Sequence, residues 1–372
     1  MKENIPNNIL IICDTAKIGG IERLTLDQAY ELSRKFQKSK IIILVLSPRV
    51  GNLSASFVVN ESEIIKNLRI NIFYAPGTKL NQFNFLKVLL KENNISHIFA
   101  NSLRGSVISW WLRAIYRLHL TIYATIYQLP SLTSTNQHLR RAFYSQFSDR
   151  LFIFSSAAQK DWNYRRKKSF LVRIVSSRRK AELCRTGVYL PRLPSREVSE
   201  TNFDVKRLVY IGRLTAWKGL ETFLKVTQLD DFNDTEILLV TPVDPTSHLA
   251  NIETSLRNRI QSVIGKSISE IEFRDGDLHL YPATYGDNTF VEGISINVLE
   301  MACLGIPSLV TKNGCTTWPE LQNLGLVYEV DWSKTSTIVS TINKISIKPR
   351  NVSKARLVID IKNNLNQMLV NL

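Results

Sequence analysis

The 372-residue chain has few cysteines, and their positions exclude two common uses of this residue. The four thiols, Cys13, Cys184, Cys303 and Cys315, form no CxxC pair, and no histidine stands at metal-ligand spacing from them. This pattern is not that of a zinc site or of a disulfide framework. We therefore interpret them as buried, reduced thiols, which suits a reducing cytoplasm.

Long hydrophobic runs are also missing. The most apolar runs, such as Ile41–Leu46, have the length of a strand and fall far short of the roughly 18 residues that a membrane span needs. The N-terminal MKENIPNNILIIC has one lysine and several polar residues before a short apolar run. This pattern is typical of a first buried strand rather than of a signal peptide. We expect a cytoplasmic protein, and peripheral attachment to the cytoplasmic face of a membrane stays open.

Acidic residues are outnumbered, at 32 Asp and Glu against 48 Lys and Arg, which gives a formal net charge of +16. Such an excess favours an anionic partner, which can be nucleic acid, a phosphorylated ligand or an acidic lipid surface, although a solvated basic surface is an alternative. A GxGxxG dinucleotide fingerprint is absent, which weakens the case for an NAD enzyme. Because no Asp-x-Asp pair stands at a suitable strand end, we expect no obligatory metal.

The chain is too long for one ordinary core, and its pattern divides it in two. Short apolar strands alternate with amphipathic helices over residues 1–190 and again over 206–350, whereas 191–205 is rich in proline, serine and mixed charge and predicts a linker. Residues 351–372 have helical spacing, and we expect them to pack back on the first domain. The predicted fold is α/β, with two Rossmann-like, doubly wound parallel sheets that face each other across a cleft. Ligands in such sheets bind beyond the carboxyl ends of the strands.

Within the second domain, the pattern predicts particular elements. Strands are expected at Lys206–Gly212, Glu236–Thr241 and Leu278–Pro282. A long helix is expected over Thr246–Ile264, followed by a strand at Ile271–Arg274.

The segment IGRLTAWKGLETFLKV, residues 211–226, joins a strand to a helix. Gly212 permits a tight exit from the strand, and Arg213 and Lys218 stand at the turn, five residues apart. A guanidinium offers a planar fork and an ammonium a point charge, so together they can hold a diphosphate. The alternative is two surface cations near a loop.

A second segment, VEGISINVLEMACLGIP at residues 291–307, predicts the start of a helix. Gly293 supplies the turn, and Ser295 is expected to cap the helix. The N–H groups around Ile294 to Asn297 then form an anion site at the positive end of the helix dipole.

Two carboxylates flank this predicted anion site. Glu292 precedes the first helical turn, and Glu300 lies more than one turn into the helix. A carboxylate accepts two hydrogen bonds, which suits the paired hydroxyls of a ribose or of a sugar. The alternative is that Glu292 only compensates the dipole and that Glu300 is an exposed helix charge.

These residues belong to one ordered pattern. The run EGISINVLEMACLGIP, with Glu292, Glu300, Gly305 and Pro307, resembles the EG-x-S/G-x-x-x-L-E-A-x-A-x-G-x-P run of glycosyltransferase family 4, the retaining GT-B enzymes. With the upstream Gly-Arg-Leu…Lys-Gly, the resemblance covers about residues 207–331.

The resemblance implies roles for these positions. Arg213 and Lys218 would bind the diphosphate of a nucleotide sugar, most simply a UDP- or GDP-sugar, and no further cofactor would be required. Glu292 would be the catalytic residue near the reacting carbon of the transferred sugar, and Glu300 would hold the ribose. The backbone of Gly293, Ile294, Ser295 and Asn297 would complete the donor site, and the sugar would be transferred with retention.

The second half departs from the family pattern in two places. Many members have glycine where Ser295 stands, so the contact between backbone and phosphate would differ. The stretch Thr284–Val291 is longer than usual, which would reshape the sugar pocket.

The N-terminal half resembles the family more weakly. IGGIERLTLDQAYEL, residues 18–32, is similar to the family's Gly-Gly loop and helix, so Gly19 and Gly20 would let backbone approach the donor phosphates or the acceptor. A simple strand-to-helix turn explains these glycines as well. Where many members carry a histidine near the donor sugar, this chain has Tyr127 and Gln128, which are weaker candidates for the sugar or acceptor pocket.

Basic residues cluster beside aromatic residues in two segments. Residues 165–180 hold eight cations and no acid, and residues 110–120 mix Trp110 and Trp111 with arginines. The first segment begins with the four cations Arg165, Arg166, Lys167 and Lys168. Such clusters favour an anionic membrane surface; a solvated basic face is the alternative, and nucleic acid is a less favoured partner.

Taken together, the patterns predict a retaining, hexosyltransferase-type glycosyltransferase that acts on a glycan or lipid-linked acceptor in polysaccharide or glycolipid biosynthesis. Two alternatives stay open: a nucleotide-sugar epimerase-type enzyme on the same two-domain plan, and a non-catalytic protein that binds nucleic acid or glycan.

Overall fold

Parallel strands separated by helices make up both halves of the chain. The computed structural model describes residues 8–14, 20–46, 70–126, 143, 145–154, 159–160, 162–164, 182–196, 203–250, 252–283, 295–312, 315 and 318–369. The chain divides into two compact units: unit 1 comprises Met1–Tyr189 with Ile361–Leu372, and unit 2 comprises Leu190–Asp360.

In its described residues, unit 1 has a seven-stranded parallel sheet in the order β3-β2-β1-β4-β5-β6-β7. The strands are β1 (Asn8–Cys13), β2 (Lys40–Val45), β3 (Ile70–Tyr74), β4 (Ile95–Ala100), β5 (Thr121–Ile126), β6 (Arg150–Ile153) and β7 (Glu182–Leu183). Helices between them are α1 (Gly20–Lys35), α2 (Lys79–Glu92) and α3 (Leu103–Tyr116). The central strands are apolar along their whole length because helices cover both faces of the sheet, as in β1, where Ile9–Cys13 are fully buried.

Unit 2 has a six-stranded parallel sheet, within its described residues, in the order β10-β9-β8-β11-β12-β13. The strands are β8 (Arg207–Ile211), β9 (Glu236–Thr241), β10 (Ile260–Ile264), β11 (Asp277–Tyr281), β12 (Ser308–Thr311) and β13 (Val327–Val330). The helices are α4 (Leu220–Val226), α5 (Thr246–Leu249), α6 (Thr254–Asn258), α7 (Ile296–Cys303), α8 (Glu320–Asn323), α9 (Thr335–Ile347) and α10 (Val352–Ile359). The prediction of two doubly wound parallel α/β sheets is therefore confirmed.

Two predicted elements of unit 2 were wrong. Thr246–Ile264 is not one long helix but the short helices α5 and α6 followed by the edge strand β10, whose Ile, Val and Ile favour a strand and whose side chains stay partly exposed. The Arg259 guanidinium donates to the Thr235 carbonyl at 2.8 Å and fixes the turn before β10. Ile271–Arg274 forms no strand; it follows a 3-10 turn with a capping box of Ser267 and Glu270 and leads into β11.

The last residues of the chain are shared between the two units. Helix α10 packs on α7 in unit 2, and the Arg356 guanidinium donates to the Cys303 carbonyl at 3.1 Å. The final helix, α11 (Ile361–Leu369), packs on α1 in unit 1, where Arg150 donates to the Met368 carbonyl at 2.7 Å. Among the described residues, no helix combines the length and the apolar character that crossing a bilayer requires.

Candidate functional site

The carboxyl edge of the unit 2 sheet has a topological switch point between β8 and β11. These two strands are neighbours, with Leu208 opposite Leu278, and the strand order reverses between them. In a doubly wound sheet, the connections after two such strands run to opposite sides of the sheet, and ligands bind in the crevice that this leaves at the carboxyl ends of the strands. Three segments meet there: the turn after β8, the end of β11 and the first turn of α7.

The first turn of α7 is tied to the end of β8. The Asn297 side-chain amide donates to the Ile211 carbonyl at 3.0 Å, two residues before Arg213. Ser295 stands at the N-cap with extended backbone, and its carbonyl accepts from the Val298 N–H at 3.0 Å. The prediction that the Ser295 hydroxyl caps the helix was wrong as far as the described residues show, since its side chain makes no capping hydrogen bond to them. The opening N–H groups of a helix have no partner within the helix, so this turn can face an anion.

Lys218 is held at the end of β11. Its side chain lies in the 3-10 turn Ala216–Lys218, is only 9% exposed and donates from Nζ to the Tyr281 hydroxyl. The ammonium also lies 3.9 Å from the centroid of the Trp217 ring, a cation–π contact. The cation is therefore fixed in position beside the switch point.

Arg213 has a different environment. Its side chain is exposed, and its carbonyl accepts from the Tyr210 hydroxyl at 3.1 Å. Burial, with a further contribution from Tyr281, raises the pKa of Tyr210 far above its usual range, so this phenol stays neutral and donates. The two predicted cations thus follow the same strand, one buried and fixed and the other facing solvent.

Gly219 allows the close approach on which this arrangement depends. Its φ is +77°, and a Cβ at this position would lie 2.9 Å from the Pro282 carbonyl carbon and nearer still to its oxygen. Only glycine accepts this combination of left-handed backbone and space. The start of α4 can therefore lie against the end of β11.

Glu300 is buried rather than exposed, so the interpretation of this residue as an exposed helix charge was wrong. Its side chain is 1% exposed, and it accepts a hydrogen bond from the Arg192 guanidinium, which is 2% exposed. Arg192 comes from the 3-10 turn Leu190–Arg192, within the segment expected to be a linker. Sequence reasoning missed this partner; no local pattern connects residues that stand 108 positions apart. A role for Glu300 in holding ribose remains a prediction.

Several predicted site residues lie outside the described part of the chain. They are Glu292, Gly293, Ile294, Gly19, Tyr127, Gln128, Arg165, Arg166, Lys167 and Lys168. Gly20 is described as the first residue of α1. On α3, Trp110 packs edge-on against Phe147 with ring centroids 5.0 Å apart, and Trp111 is 50% exposed.

The unit 1 sheet has a second switch point, between β1 and β4, which the sequence analysis did not identify. Asp14 follows β1 and accepts from the Ser102 hydroxyl at 2.6 Å, and Ser102 also caps α3. The Asn101 side chain donates to Thr25 at 2.9 Å and accepts from Thr125 at 3.1 Å. The sequence feature that could have identified this switch point is a polar residue directly after an apolar strand, which occurs at Asp14 and again at Asn101.

Comparison with known proteins identifies the fold. Neither a protein-family model nor a curated protein matches the chain. Among solved structures, Anabaena HepE in complex with UDP-glucose is similar at 14% identity, over 98% of this chain and 100% of that one, with a TM-score of 0.67. Sucrose-phosphate synthase from Thermosynechococcus elongatus is similar at 13% identity over 97% of both chains, with a TM-score of 0.65, and TarM at 9% identity over 98% of both, with 0.67. At these identities the likeness shows the fold, and the predicted GT-B fold is confirmed.

Proposed function

We propose that the protein is a glycosyltransferase that moves a sugar from a UDP-sugar to a hydroxyl acceptor. The observation that carries the proposal is the convergence of three segments at the β8/β11 switch point, through the contacts Asn297–Ile211, Lys218–Tyr281 and Gly219–Pro282. A fixed cation, an exposed guanidinium and a helix start at one strand edge suit a diphosphate. The choice of UDP is supported by similar structures of HepE, which hold UDP and UDP-glucose.

In the proposed reaction, the bond between the anomeric carbon and the diphosphate oxygen breaks. The acceptor hydroxyl oxygen forms the new bond to that carbon, and its proton passes to the leaving diphosphate. Negative charge grows on the leaving diphosphate. The Lys218 ammonium, the Arg213 guanidinium and the first-turn N–H groups of α7 would stabilise it. Because Tyr281 and Trp217 already hold Lys218, this cation loses little freedom on binding.

Finer parts of the proposal rest on the resemblance in the sequence. Glu292 would contact the transferred sugar near the reacting carbon, and transfer would proceed with retention of a hexosyl group. Glu300 would hold the ribose while it also accepts from Arg192. No obligatory metal or further cofactor is proposed.

Unit 1 would supply the acceptor site. The Asp14 carboxylate and the Ser102 hydroxyl lie together at the β1/β4 switch point, where ligands of a doubly wound sheet bind. A carboxylate there can accept a hydrogen bond from a sugar hydroxyl. On the basis of the resemblance in the sequence, we further propose that the acceptor is a glycan or is lipid-linked and that the enzyme acts in polysaccharide or glycolipid biosynthesis.

A surface of α2 and α3 supports peripheral binding to an anionic membrane. The Lys87 and Lys91 ammonium groups of α2 lie 4.7 and 4.8 Å from the centroid of the Tyr116 ring of α3. Trp111 and Ile115 of α3 are exposed, so the helix adds apolar side chains to these cations. Binding to vesicles with anionic lipid, and none to neutral vesicles, would support a cytoplasmic protein attached to the membrane face. Equal binding to both kinds of vesicle would contradict it.

The test of the main proposal is nucleotide binding followed by product analysis. Calorimetric titration should show UDP binding, and Lys218→Ala should weaken it by about 10- to 100-fold, the value of a charge-assisted bond. Lys354→Ala controls for the loss of a lysine charge elsewhere in unit 2, since Lys354 is exposed on α10. The proposal fails if none of the UDP-, GDP- and ADP-sugars raises the Tm of the protein.

Product analysis separates the proposal from its alternatives. Incubation of a UDP-sugar with an acceptor should release UDP and form a glycoside whose anomeric configuration tests retention. An epimerised sugar nucleotide, formed without acceptor, would instead identify the epimerase-type enzyme. Tight nucleic-acid binding with a steep salt dependence, together with no nucleotide-sugar binding, would identify the non-catalytic binder.

A further inference from the structure

Unit 2 contains a cavity of about 590 Å³ between helices α4 and α9, at the carboxyl ends of β12 and β13. Its wall includes Lys225, Lys312, Asp331, Trp332 and Thr335. The volume lies within the range of about 300–1,000 Å³ that is usual for small-molecule sites. The described lining includes none of the residues assigned above to the nucleotide, so the inference stands apart from the proposed function.

The indole of Trp332 is a fixed part of this wall. Its Nε1 donates to the Thr311 hydroxyl at 3.0 Å, and that hydroxyl donates in turn to the Ala283 carbonyl at 2.8 Å. The side chain is half-buried, so the hydrogen bond sets its position while part of it stays accessible. An immobilised aromatic ring in a cavity offers a flat apolar surface to a ligand ring at little entropic cost.

The charges around the cavity are mainly positive. Lys225 and Lys312 line it with exposed side chains, and Lys334 lies close by, 3.9 Å from Asp331. The carboxylate of Asp331 already accepts from the Ser333 N–H at 3.1 Å and from the Ser333 hydroxyl at 2.6 Å. These bonds, with smaller contributions from Lys334 and Lys312, hold the pKa of Asp331 below its usual value.

Because Asp331 is held by its own loop and by Lys334, the remaining positive charge of the cavity lining comes from two lysines on different elements. Lys225 belongs to α4, and Lys312 follows β12. Three residues with hydroxyl side chains, Thr222, Ser333 and Thr335, also line the cavity. Hydroxyl groups, an aromatic surface and paired cations together match a polyhydroxylated ring that carries an anion.

We propose that this cavity binds an anionic sugar, a monosaccharide that carries a phosphate or a carboxylate. The ring packs against Trp332, and the anion lies between Lys225 and Lys312. The hydroxyl side chains of the wall exchange hydrogen bonds with the sugar hydroxyls.

The test is calorimetric titration of the full chain with four probes: glucose 6-phosphate, glucuronate, glucose and inorganic phosphate. Saturating UDP is present, and the titrations are repeated without it, so that a failure of UDP to bind leaves this test intact. At least one anionic sugar should bind with a Kd below about 1 mM, and glucose and phosphate at least about tenfold more weakly. The relative affinity of the first two probes shows whether phosphate or carboxylate is preferred.

Variants localise the binding. Lys225→Ala and Lys312→Ala should each weaken the anionic sugar by about tenfold or more, because each removes one charge-assisted contact from an exposed position. Trp332→Ala should weaken the binding of the anionic sugar but not the binding of inorganic phosphate. The control Lys354→Ala, at an exposed position elsewhere, should bind the anionic sugar like the wild type.

Two results would overturn the proposal. One is that neither anionic sugar binds with a Kd below about 1 mM. The other is binding that both lysine variants leave unchanged while circular dichroism shows them folded. Because both lysines are exposed, their removal tests the site without disturbing the core.

Discussion

Replacement of Gly219 by alanine tests the contact that brings the start of α4 to the end of β11. At this position φ is +77°, and an added Cβ would lie 2.9 Å from the Pro282 carbonyl carbon. The obstacle is backbone, which cannot turn aside as the end of a flexible side chain can. Gly265 provides a matched control, since its φ is +71° and none of the described atoms lies within 4 Å of an added Cβ.

The magnitude follows from two contributions. An L-residue in left-handed backbone costs about 1–2 kcal/mol, and loss of glycine's freedom in the unfolded chain returns about 0.4–1 kcal/mol, so Gly265→Ala should cost about 1 kcal/mol. Gly219→Ala carries the same cost plus about 1–3 kcal/mol for overpacking. The difference of about 2 kcal/mol corresponds to roughly 4–8 °C in Tm for a unit of this size.

Scanning calorimetry of both variants measures this difference, and UDP titration adds an independent readout. Because Lys218 precedes Gly219, displacement of the turn should weaken UDP binding in Gly219→Ala and leave it unchanged in Gly265→Ala. Equal Tm values for the two variants would refute the close approach of Gly219 to Pro282.

Three further predictions concern other parts of unit 2. Tyr281→Phe removes the hydroxyl that accepts from the Lys218 ammonium. With the fold retained, the affinity for UDP should fall by about three- to tenfold in calorimetric titration. Unchanged affinity would exclude the Lys218–Tyr281 pair from the nucleotide site. Arg192→Met should lower the free energy of unfolding, measured in urea, by about 3–5 kcal/mol, because it leaves the Glu300 carboxylate buried without this partner. Adding Glu300→Leu should restore most of that free energy. A double variant as unstable as the single one would contradict this prediction. Burial lowers the pKa of His279 in the folded protein to about 3. In the unfolded chain the imidazole binds a proton near pH 6.5. The contribution of neutral His279 to stability is therefore complete above pH 6.5 and declines as the pH falls toward 3. Between pH 7.5 and pH 5 the wild type should therefore lose about 2 kcal/mol more than His279→Gln in urea unfolding, and parallel losses would show that His279 is not responsible.

The fold was predictable where hydrophobic pattern and burial coincide. β1 and β2 are continuous apolar runs because both faces of a parallel sheet are covered, and this burial is readable from composition alone. The error at Thr246–Ile264 arose because the edge strand β10 alternates polar and apolar residues only partly, so a helical spacing fitted it as well. Its pairing with β9, from Ile260 opposite Ile237 onward, is a long-range contact with no local signature.

The sequence predicted which residue types stand at the candidate site, but not how exposed each side chain is or which groups hold it. Arg213 and Lys218 follow one strand at a recognisable spacing, yet their difference in exposure is set by Tyr281, which is 63 residues away from Lys218. The close approach at Gly219 likewise depends on the position of Pro282. Sequence spacing indicates which groups stand at a strand end, and tertiary packing decides which of them is fixed there.

The buried pair of Arg192 and Glu300 changes how the ribose hypothesis must be tested. Glu300→Ala alone should weaken nucleotide binding under either interpretation, because leaving Arg192 buried without this carboxylate costs about 3–5 kcal/mol and destabilises the unit that carries α7. A variant that removes both charges and keeps their volume avoids this ambiguity. If the double variant Arg192→Met/Glu300→Leu folds and still binds UDP as the wild type does, the carboxylate is structural. If it folds and loses affinity for UDP more than for inorganic pyrophosphate, the lost contact is to the nucleoside, as a ribose ligand requires.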